Sequence, residues 1–277
     1  MRGRHRHQPV TRIFRGDALA DEILGAVRAD PACARASLLV LRDASAPPAA
    51  AYAARIESFA PRAGFPVTVR DYPATLAELR TLLEATQGAV LPIHPLPDWI
   101  DAATLTARVG PDRDPEGLHP LHAGALALGR PGIVPPTADA AFRVAKAIVG
   151  PLSGKTATVV GASPVVGRPL ALLLIAAGAT VRVAQATTRD LAAETRDAEI
   201  VFSAVGHPGL LGRDHLREGA VGIDIGITRQ GERLVGDIDA GKVEGHAAWL
   251  THVPDGVGPV TVACLMRNAA LLGGAGV

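Results

Sequence analysis

The chain has 277 residues, with 28 Lys and Arg against 27 Asp and Glu, so its net charge of +1 supplies no field that would draw it to nucleic acid or to an anionic membrane. Hydrophobic residues make up 48% and charged residues 20%, which excludes bulk disorder and allows the core of one large or two modest domains. Two cysteines, Cys33 and Cys264, without CxxC spacing exclude a disulfide framework and a cysteine metal site, and point to a reducing cytoplasm.

The first residues, Met1 to Gln8, are basic but are followed by no apolar run, so they are expected to be a frayed terminus rather than a leader; no run of about 18 apolar residues predicts a membrane span. From Asp17 to Ala29 the residues Leu19, Ile23, Leu24 and Val27 recur at helical spacing, and Ala36 to Leu41 is a short apolar run of strand length. Ala49 to Ala63 reads as a helix, Val67 to Tyr72 as a strand, Thr75 to Thr86 as an amphipathic helix and Ala89 to Ile93 as a further strand. Such alternation predicts a parallel sheet covered by helices. Between Pro95 and Thr137 the chain fills with Pro, Gly, Asp and His, which suits loops and a lobe boundary near His122.

In the second half Thr156 to Val160 is a strand, Gly161 to Gly167 a glycine-bounded turn, Arg168 to Ala177 an apolar helix and Thr180 to Val183 the next strand, which together make a βαβ unit. Short apolar runs at Ile200 to Val205 and Ala220 to Ile225 continue a doubly wound sheet, whose ligand crevice lies at the carboxyl ends of the strands. Thr261 to Leu272 reads as a terminal helix.

A dinucleotide fold needs small residues in the first turn, so that the backbone can approach a pyrophosphate at the helix N-terminus. The turn Gly161-Ala162-Ser163-Pro164-Val165-Val166-Gly167-Arg168-Pro169 stands in that setting, although Ser163 replaces the middle glycine and the last glycine comes one residue late. The alternative is a glycine turn that binds nothing. The second strand of this unit ends in Ala184, Gln185 and Ala186, with no Asp or Glu to hold an unphosphorylated ribose, so NADP is favoured while NAD stays possible; Arg168 and Arg182 supply charge for a phosphate unless they are plain surface arginines. Ser153-Gly154-Lys155-Thr156 has the wrong spacing for a phosphate loop and precedes its strand. Asp112 to Gly117 starts like a calcium loop but has Ala123 where the bidentate Glu belongs. His119 and His122 are three apart, but the intervening Pro120 argues against a helical metal pair, and no metal is expected. Glu116 and His119 keep acid–base roles open.

Five segments then converge. Val160 to Pro169, Ala204-Val-Gly-His-Pro208, Ile223-Asp-Ile-Gly-Ile227, Leu234-Val-Gly-Asp-Ile238 and Val253-Pro-Asp-Gly-Val-Gly-Pro-Val-Thr261 resemble, in this order, the bifunctional methylenetetrahydrofolate dehydrogenase/cyclohydrolase family. The resemblance implies an α/β fold of two lobes with a cleft between them: a smaller folate lobe, residues 1–121 completed by the C-terminal helix 260–277, and a Rossmann-type NAD(P) lobe, residues 122–259. It implies a homodimer paired through the nucleotide lobes. The cofactor residues it implies are Gly161, Ala162, Ser163, Val166, Gly167, Arg168, Thr187, Val205, Gly206, Ile227 and Thr261. Gly258 and Pro259 would lie by the nicotinamide.

The substrate lobe departs from the family pattern. Tyr52 is kept, but Ile56 stands at the family's catalytic Lys, Ile93 at its Gln, and Glu116 at its pterin-contacting Asp. An isoleucine cannot move a proton, and neighbouring Arg55 stays protonated. Tyr52 is expected to stack on or bond the substrate, and Glu116 to contact a ligand amine; the plain alternatives are a half-buried helix aromatic and a solvated loop acid. Ala186 replaces the family's Ser near the 2′-phosphate, and Asp255, beside Gly256 and Pro259 in the substrate set, puts a negative charge where the family has glycine. The expected activity is a dehydrogenase acting at a C–N centre with the cyclohydrolase lost. A folate-independent imine or amine oxidoreductase, and a non-catalytic NAD(P)- or folate-binding partner subunit, are the alternatives.

Overall fold

A computed structural model describes residues 10–130 and 132–274; the basic segment Met1 to Gln8 lies outside them. The chain opens with β1 (Arg12–Phe14) and α1 (Asp17–Ala29), then alternates through β2 (Leu38–Arg42), α2 (Pro47–Ala63), β3 (Val67–Asp71), α3 (Leu76–Ala85) and β4 (Ala89–Pro92). Helices α4 (Ala102–Val109), α5 (Pro120–Ala127) and α6 (Pro136–Val149) follow. A second alternation runs through β5 (Thr156–Val160), α7 (Gly167–Ala176), β6 (Thr180–Ala184), α8 (Leu191–Thr195), β7 (Ile200–Ser203) and β8 (Val221–Asp224). The chain then forms β9 (Thr228–Gln230), β10 (Arg233–Val235), α9 (Ala240–Val243), β11 (Trp249–Thr251) and α10 (Gly258–Gly274).

These elements sort into two compact units, one of Ala18–Asp139 with the chain from Val260, the other of the chain up to Asp17 with Ala140–Pro259. The boundary expected near His122 therefore lies at Asp139, inside α6. The first unit holds a parallel sheet of order β3-β2-β4. Central β2 buries Leu38, Leu39, Val40 and Leu41 in succession, the unbroken apolar run of a strand covered on both faces. Leu39 and Leu41 pack with Leu79 and Leu83 of α3 and Leu105 and Val109 of α4. Helix α2 turns Ala53, Ile56, Phe59 and Ala63 inward at helical spacing.

The stretch between Pro95 and Thr137 is not the run of loops its composition suggests, because it holds α4 and α5. Asp101 caps α4 by accepting the Thr104 N–H at 2.8 Å, and Pro120 occupies the first turn of α5, where its missing N–H has no helical partner to lose. His119 caps that helix, its Nδ1 accepting the Leu121 N–H at 3.2 Å, and His122 Nε2 donates to the Pro111 carbonyl at 2.9 Å. Both histidines are spent on local structure, and among the described residues no group of His, Cys, Asp or Glu converges on a metal site.

The second unit holds a parallel sheet of order β1-β11-β8-β7-β5-β6. Strands β1 and β11 were not foreseen, since each has three residues and they meet across more than 230 positions of sequence. Thr11 fixes that junction: its hydroxyl donates to the Ala247 carbonyl at 2.8 Å and accepts the Gly245 N–H at 2.9 Å. The chain passes from β5 outward to β6 and then back to β7 on the other side of β5, so the order switches at the carboxyl ends of β5 and β7. Among the described residues no helix is long and apolar enough to cross a membrane.

A Cβ on Gly167, the first residue of α7, would collide with the Gly161 carbonyl, whereas Gly124 inside α5 has open space. Gly167→Ala is expected to cost about 1–3 kcal/mol of stability. Gly124→Ala is expected to be neutral or to stabilise by about 0.5–1 kcal/mol. Denaturant midpoints measure both, and equal effects at the two sites would contradict the packing described.

Candidate active site

The turn after β5 is shaped by its two glycines and by Ser163. Gly161 has φ +103°, and a Cβ there would lie 2.6 Å from the Ala204 carbonyl oxygen. Ser163, at the place of the usual middle glycine, ties the turn: its Oγ accepts the Val166 N–H at 3.1 Å and its carbonyl accepts the Arg168 N–H at 3.0 Å. These bonds absorb the extra residue before Gly167. The Gly161 N–H donates to the Ala184 carbonyl at 2.8 Å and the Ala204 N–H to the Val160 carbonyl at 2.9 Å, so the loops after β5, β6 and β7 lie side by side. Ala162 sits within this turn, and the Cβ-free approach at both ends leaves a cradle of backbone suited to a pyrophosphate at the N-terminus of α7. Thr187 and Arg168 are exposed beside it, in a region without an acidic side chain at the end of β6.

Two buried carboxylates, which sequence reasoning left out of the site, hold the next loops. Asp237 Oδ2 accepts the Ser203 hydroxyl at 2.9 Å and the Val205 N–H at 2.8 Å, and its Oδ1 accepts the His207 N–H at 2.8 Å. Asp224 in turn accepts the N–H groups of Asp237 at 3.0 Å and Ile238 at 2.7 Å, and donates its own N–H to Thr251 Oγ1 at 2.8 Å. Burial pushes the Asp224 carboxyl up to about 7 against the pull of those two N–H donors, with the Asp237 charge adding to the rise. The result presents Val205, 47% exposed, Gly206, and Ile227, 49% exposed, as an apolar rim joined by the Thr228 hydroxyl, which donates to the Gly206 carbonyl at 3.1 Å.

In the first unit Tyr52 and Ile56 lie one turn apart on α2, Ile93 follows β4, and Glu116 stands in the loop before α5. Ile56 is 0% exposed and Ile93 7%. The Glu116 loop is tied from two sides. Asp114 Oδ1 accepts the N–H groups of Glu116 at 3.0 Å and Gly117 at 3.1 Å, and Oδ2 that of His119 at 2.7 Å. Asn268 of α10 donates to the Pro115 and Val134 carbonyls at 2.9 and 2.8 Å.

Glu116 is half-buried. Burial pushes its carboxyl up to about 8, with the Asp114 charge adding to the rise. The Tyr52 phenol is raised by burial first, then by Glu116, and only partly relieved by Arg55; the Tyr72 phenol is raised by burial and by Glu116. The Tyr72 hydroxyl donates to the Ile93 carbonyl at 3.0 Å. Tyr72 left no sequence signal beyond closing a strand.

The remaining expected residues divide between the units. Thr261 is on α10 in the unit with Tyr52, whereas Asp255, Gly256 and Pro259 belong to the nucleotide unit. The Asp255 charge is paired: Oδ2 lies 3.1 Å from Arg15 Nη1 and 3.3 Å from His252 Nδ1.

Because the folded Glu116 carboxyl titrates well above its ordinary value, the folded state holds a proton that the unfolded chain has released. That stabilisation is complete below about pH 4.5 and is lost as the pH rises through about 8. The unfolding free energy of the protein relative to Glu116→Gln is therefore expected to fall across this window. A pH-independent difference would show that the carboxyl is not buried as described.

Known proteins resemble this chain in sequence and in fold. Residues 135–272 match the tetrahydrofolate dehydrogenase/cyclohydrolase NAD(P)-binding domain. The chain is 38% identical over 272 residues to the bifunctional protein FolD of Roseiflexus sp. (strain RS-1), covering 92% of this chain and 94% of that one, and 40% identical over 271 residues to FolD of Synechococcus sp. (strain WH7803), covering 92% of each. Among solved structures, the bifunctional FolD of Campylobacter jejuni superposes with a TM-score of 0.88 at 30% identity over 95% of this chain and 98% of that one. The Trypanosoma brucei enzyme, complexed with NADP and an inhibitor, superposes with a TM-score of 0.86 at 28% identity over 96% and 98%. Sequence similarity over 92% of the chain and a fold shared over 95% of it lead to one conclusion: the chain belongs to the tetrahydrofolate dehydrogenase/cyclohydrolase family.

Proposed function

We propose that this protein is an NADP-dependent methylenetetrahydrofolate dehydrogenase whose cyclohydrolase step has been lost. The observation that carries the reading is the contrast between the two units: the nucleotide turn keeps its glycine packing, while Ile56 and Ile93 put buried apolar side chains where proton-handling groups would be needed. NADP, when bound, supplies the hydride acceptor. Hydride transfer asks the protein chiefly to hold the reacting carbons in place, whereas hydrolysis of the methenyl product needs an activated water and a group to take its proton. Isoleucine provides neither.

In this reading the Gly161–Gly167 turn, with Ala162, Ser163, Val166 and Arg168, cradles the pyrophosphate, and Val205, Gly206 and Ile227 give the cofactor an apolar surface. Thr187 sits by the adenosine ribose. The missing carboxylate at the end of β6, together with exposed Arg168, Arg182 and Arg189, suits a 2′-phosphate better than a free 2′-hydroxyl. In the first unit Tyr52 and Glu116 contact the folate, with Ile56 and Ile93 in the apolar packing behind them and Thr261 on α10; Asp255, Gly256 and Pro259 belong to the nucleotide unit's share of the reading. The nucleotide domain extends to Pro259, and the folate domain recovers the chain after it.

A homodimer paired through the nucleotide units belongs to the same reading. Strand β1 is an edge of its sheet, Ile13 on it is 46% exposed, and a groove of about 560 Å³ is lined by Ile13, Leu234, Val235 and Val253. Cys33 and Cys264 are buried and not joined in a disulfide, as suits a reducing cytoplasm.

With methylenetetrahydrofolate and NADP, the absorbances of the reduced nicotinamide and the methenyl product are expected to rise together, and the methenyl signal to decay no faster than it does without protein. Rapid methenyl loss would overturn the account of Ile56 and Ile93. Because an ammonium at position 56 alone would sit in an apolar wall, Ile56→Lys is expected to restore little hydrolysis, and Ile56→Lys with Ile93→Gln more. Hydrolysis fully recovered by the single change would show that Ile93 is not a barrier. Ile13→Asp is expected to convert dimer to monomer in sedimentation; an unchanged mass would rule out this edge as the interface.

A further inference from the structure

Arg42 closes β2, the central strand of the first unit, opposite Asp71 of β3, and its carbonyl accepts the Tyr72 N–H at 2.9 Å. Side chains alternate along β2, and Leu39 and Leu41 belong to the cluster that α3 and α4 cover. On that face the Tyr72 hydroxyl reaches the Ile93 carbonyl at 3.0 Å across the strand end. Arg42 is in step with Leu38 and Val40 and so lies on the opposite face. The crossovers β2–α2–β3 and β3–α3–β4 run in opposite directions across the sheet, and with the right-handed turn that both take, α2 covers the Arg42 face. Arg42 is thus at the carboxyl end of a parallel sheet, where such folds take their ligands, on the side of the helix that carries Tyr52.

The guanidinium is oriented but uncommitted. Its side chain is 26% exposed and makes no hydrogen bond to the described residues; Nε is buried, and Asp71 Oδ1 stands 3.7 Å from it, an attraction between charges but too long for a hydrogen bond. Asp71 is 62% exposed, so water screens much of its charge. Asp43, the next residue, spends Oδ1 on the Ser45 N–H at 2.8 Å and hydroxyl at 2.7 Å. Arg113 of the same unit shows the contrast: a half-buried guanidinium that gives Nε to the Val109 carbonyl at 3.0 Å and Nη1 to the Leu83 carbonyl at 2.6 Å. A largely buried cation whose donors are unmade costs stability unless an anion meets it. With Nε nearest Asp71, the Nη1 and Nη2 pair is left, and that edge fits the two oxygens of a carboxylate. A phosphate dianion beside Asp71 would exceed what one arginine offsets. We propose that Arg42 is a carboxylate-binding residue, its two Nη groups donating in parallel to a carboxylate that the ligand carries. The binding site stands without the folate reading; the identity of the ligand rests on that reading, and under it the group is a carboxylate of the glutamate tail. Arg42 then sets affinity and selectivity and takes no part in hydride transfer.

Two measurements on the full chain test it. The first needs no folate. In a nitrogen–proton NMR spectrum of the arginine Nε–H groups, the signal missing in Arg42→Met identifies Arg42, and glutarate at pH 7 is expected to move it saturably while sodium chloride of the same ionic strength does not. An unmoved signal, or equal movement by both salts, would overturn the site. The second compares tetrahydrofolate with its dimethyl ester by calorimetry, with NADP binding as the check on folding. The protein is expected to bind tetrahydrofolate about tenfold or more tightly than the ester, as loss of a charge-assisted bond implies. Arg42→Met is expected to bind the two alike, and Arg42→Lys to fall between. No preference in the protein, or one that survives in Arg42→Met, would overturn the proposal, and a lysine as good as the arginine would overturn the two-point contact. Failure of tetrahydrofolate to bind beside intact NADP binding would instead overturn the folate reading, with the glutarate result still deciding the site.

Discussion

The nucleotide unit depends on two carboxylates that each sit on a glycine belonging to the other's segment. A Cβ on Gly226 would strike the Asp237 carboxylate, and a Cβ on Gly236 would strike that of Asp224. Each aspartate is thus admitted to the interior by the missing side chain next to its partner, and each is satisfied there by backbone N–H groups. Buried charge is tolerated only when its hydrogen bonds are made, and here the bonds are made to the loops that follow β7 and β10. The position of Val205 and His207, and so of the rim beside the nucleotide turn, follows from this reciprocal packing rather than from any property of the loop itself.

The folate-type unit repeats the device with different parts. Asp114 gathers three N–H groups, Asn268 holds two carbonyls, and Gly117 leaves room for the chain at Ile133 to Pro135. In both units buried Asp or Asn side chains shape irregular backbone, which has no ladder of its own to satisfy it. The acid left for chemistry, Glu116, is carried on such a frame and differs from Asp114 in having no N–H donors of its own to stabilise a charge.

The replacements that separate this chain from the family pattern also follow from packing. Ile56 falls on the inward stripe of α2 with Ala53, Phe59 and Ala63. A lysine there costs desolvation energy that only a catalytic need would justify, and an isoleucine at the same position extends the core. Loss of the amine therefore leaves the fold undisturbed.

Periodicity alone determined most of the alternating elements, because helices and strands that bury one face write that face into the sequence. The nucleotide turn was legible for a similar local reason: a strand, small residues and an apolar helix follow one another directly from Thr156 to Ala176. Helices α4 and α5 were hidden by Pro and Gly that serve as caps and first-turn residues rather than breakers. Strands β1 and β11 were hidden because three residues carry no period. Tyr72, Asp224 and Asp237 acquire their roles only from neighbours brought in by strand order, across the end of β2 in one unit and across the mouths of β7 and β8 in the other. The sequence by itself determined which residue types were available for chemistry, and that an amine and an amide were missing; only the tertiary structure decided which of the remaining polar groups face one another, since burial and pairing are properties of neighbours that are distant in the chain.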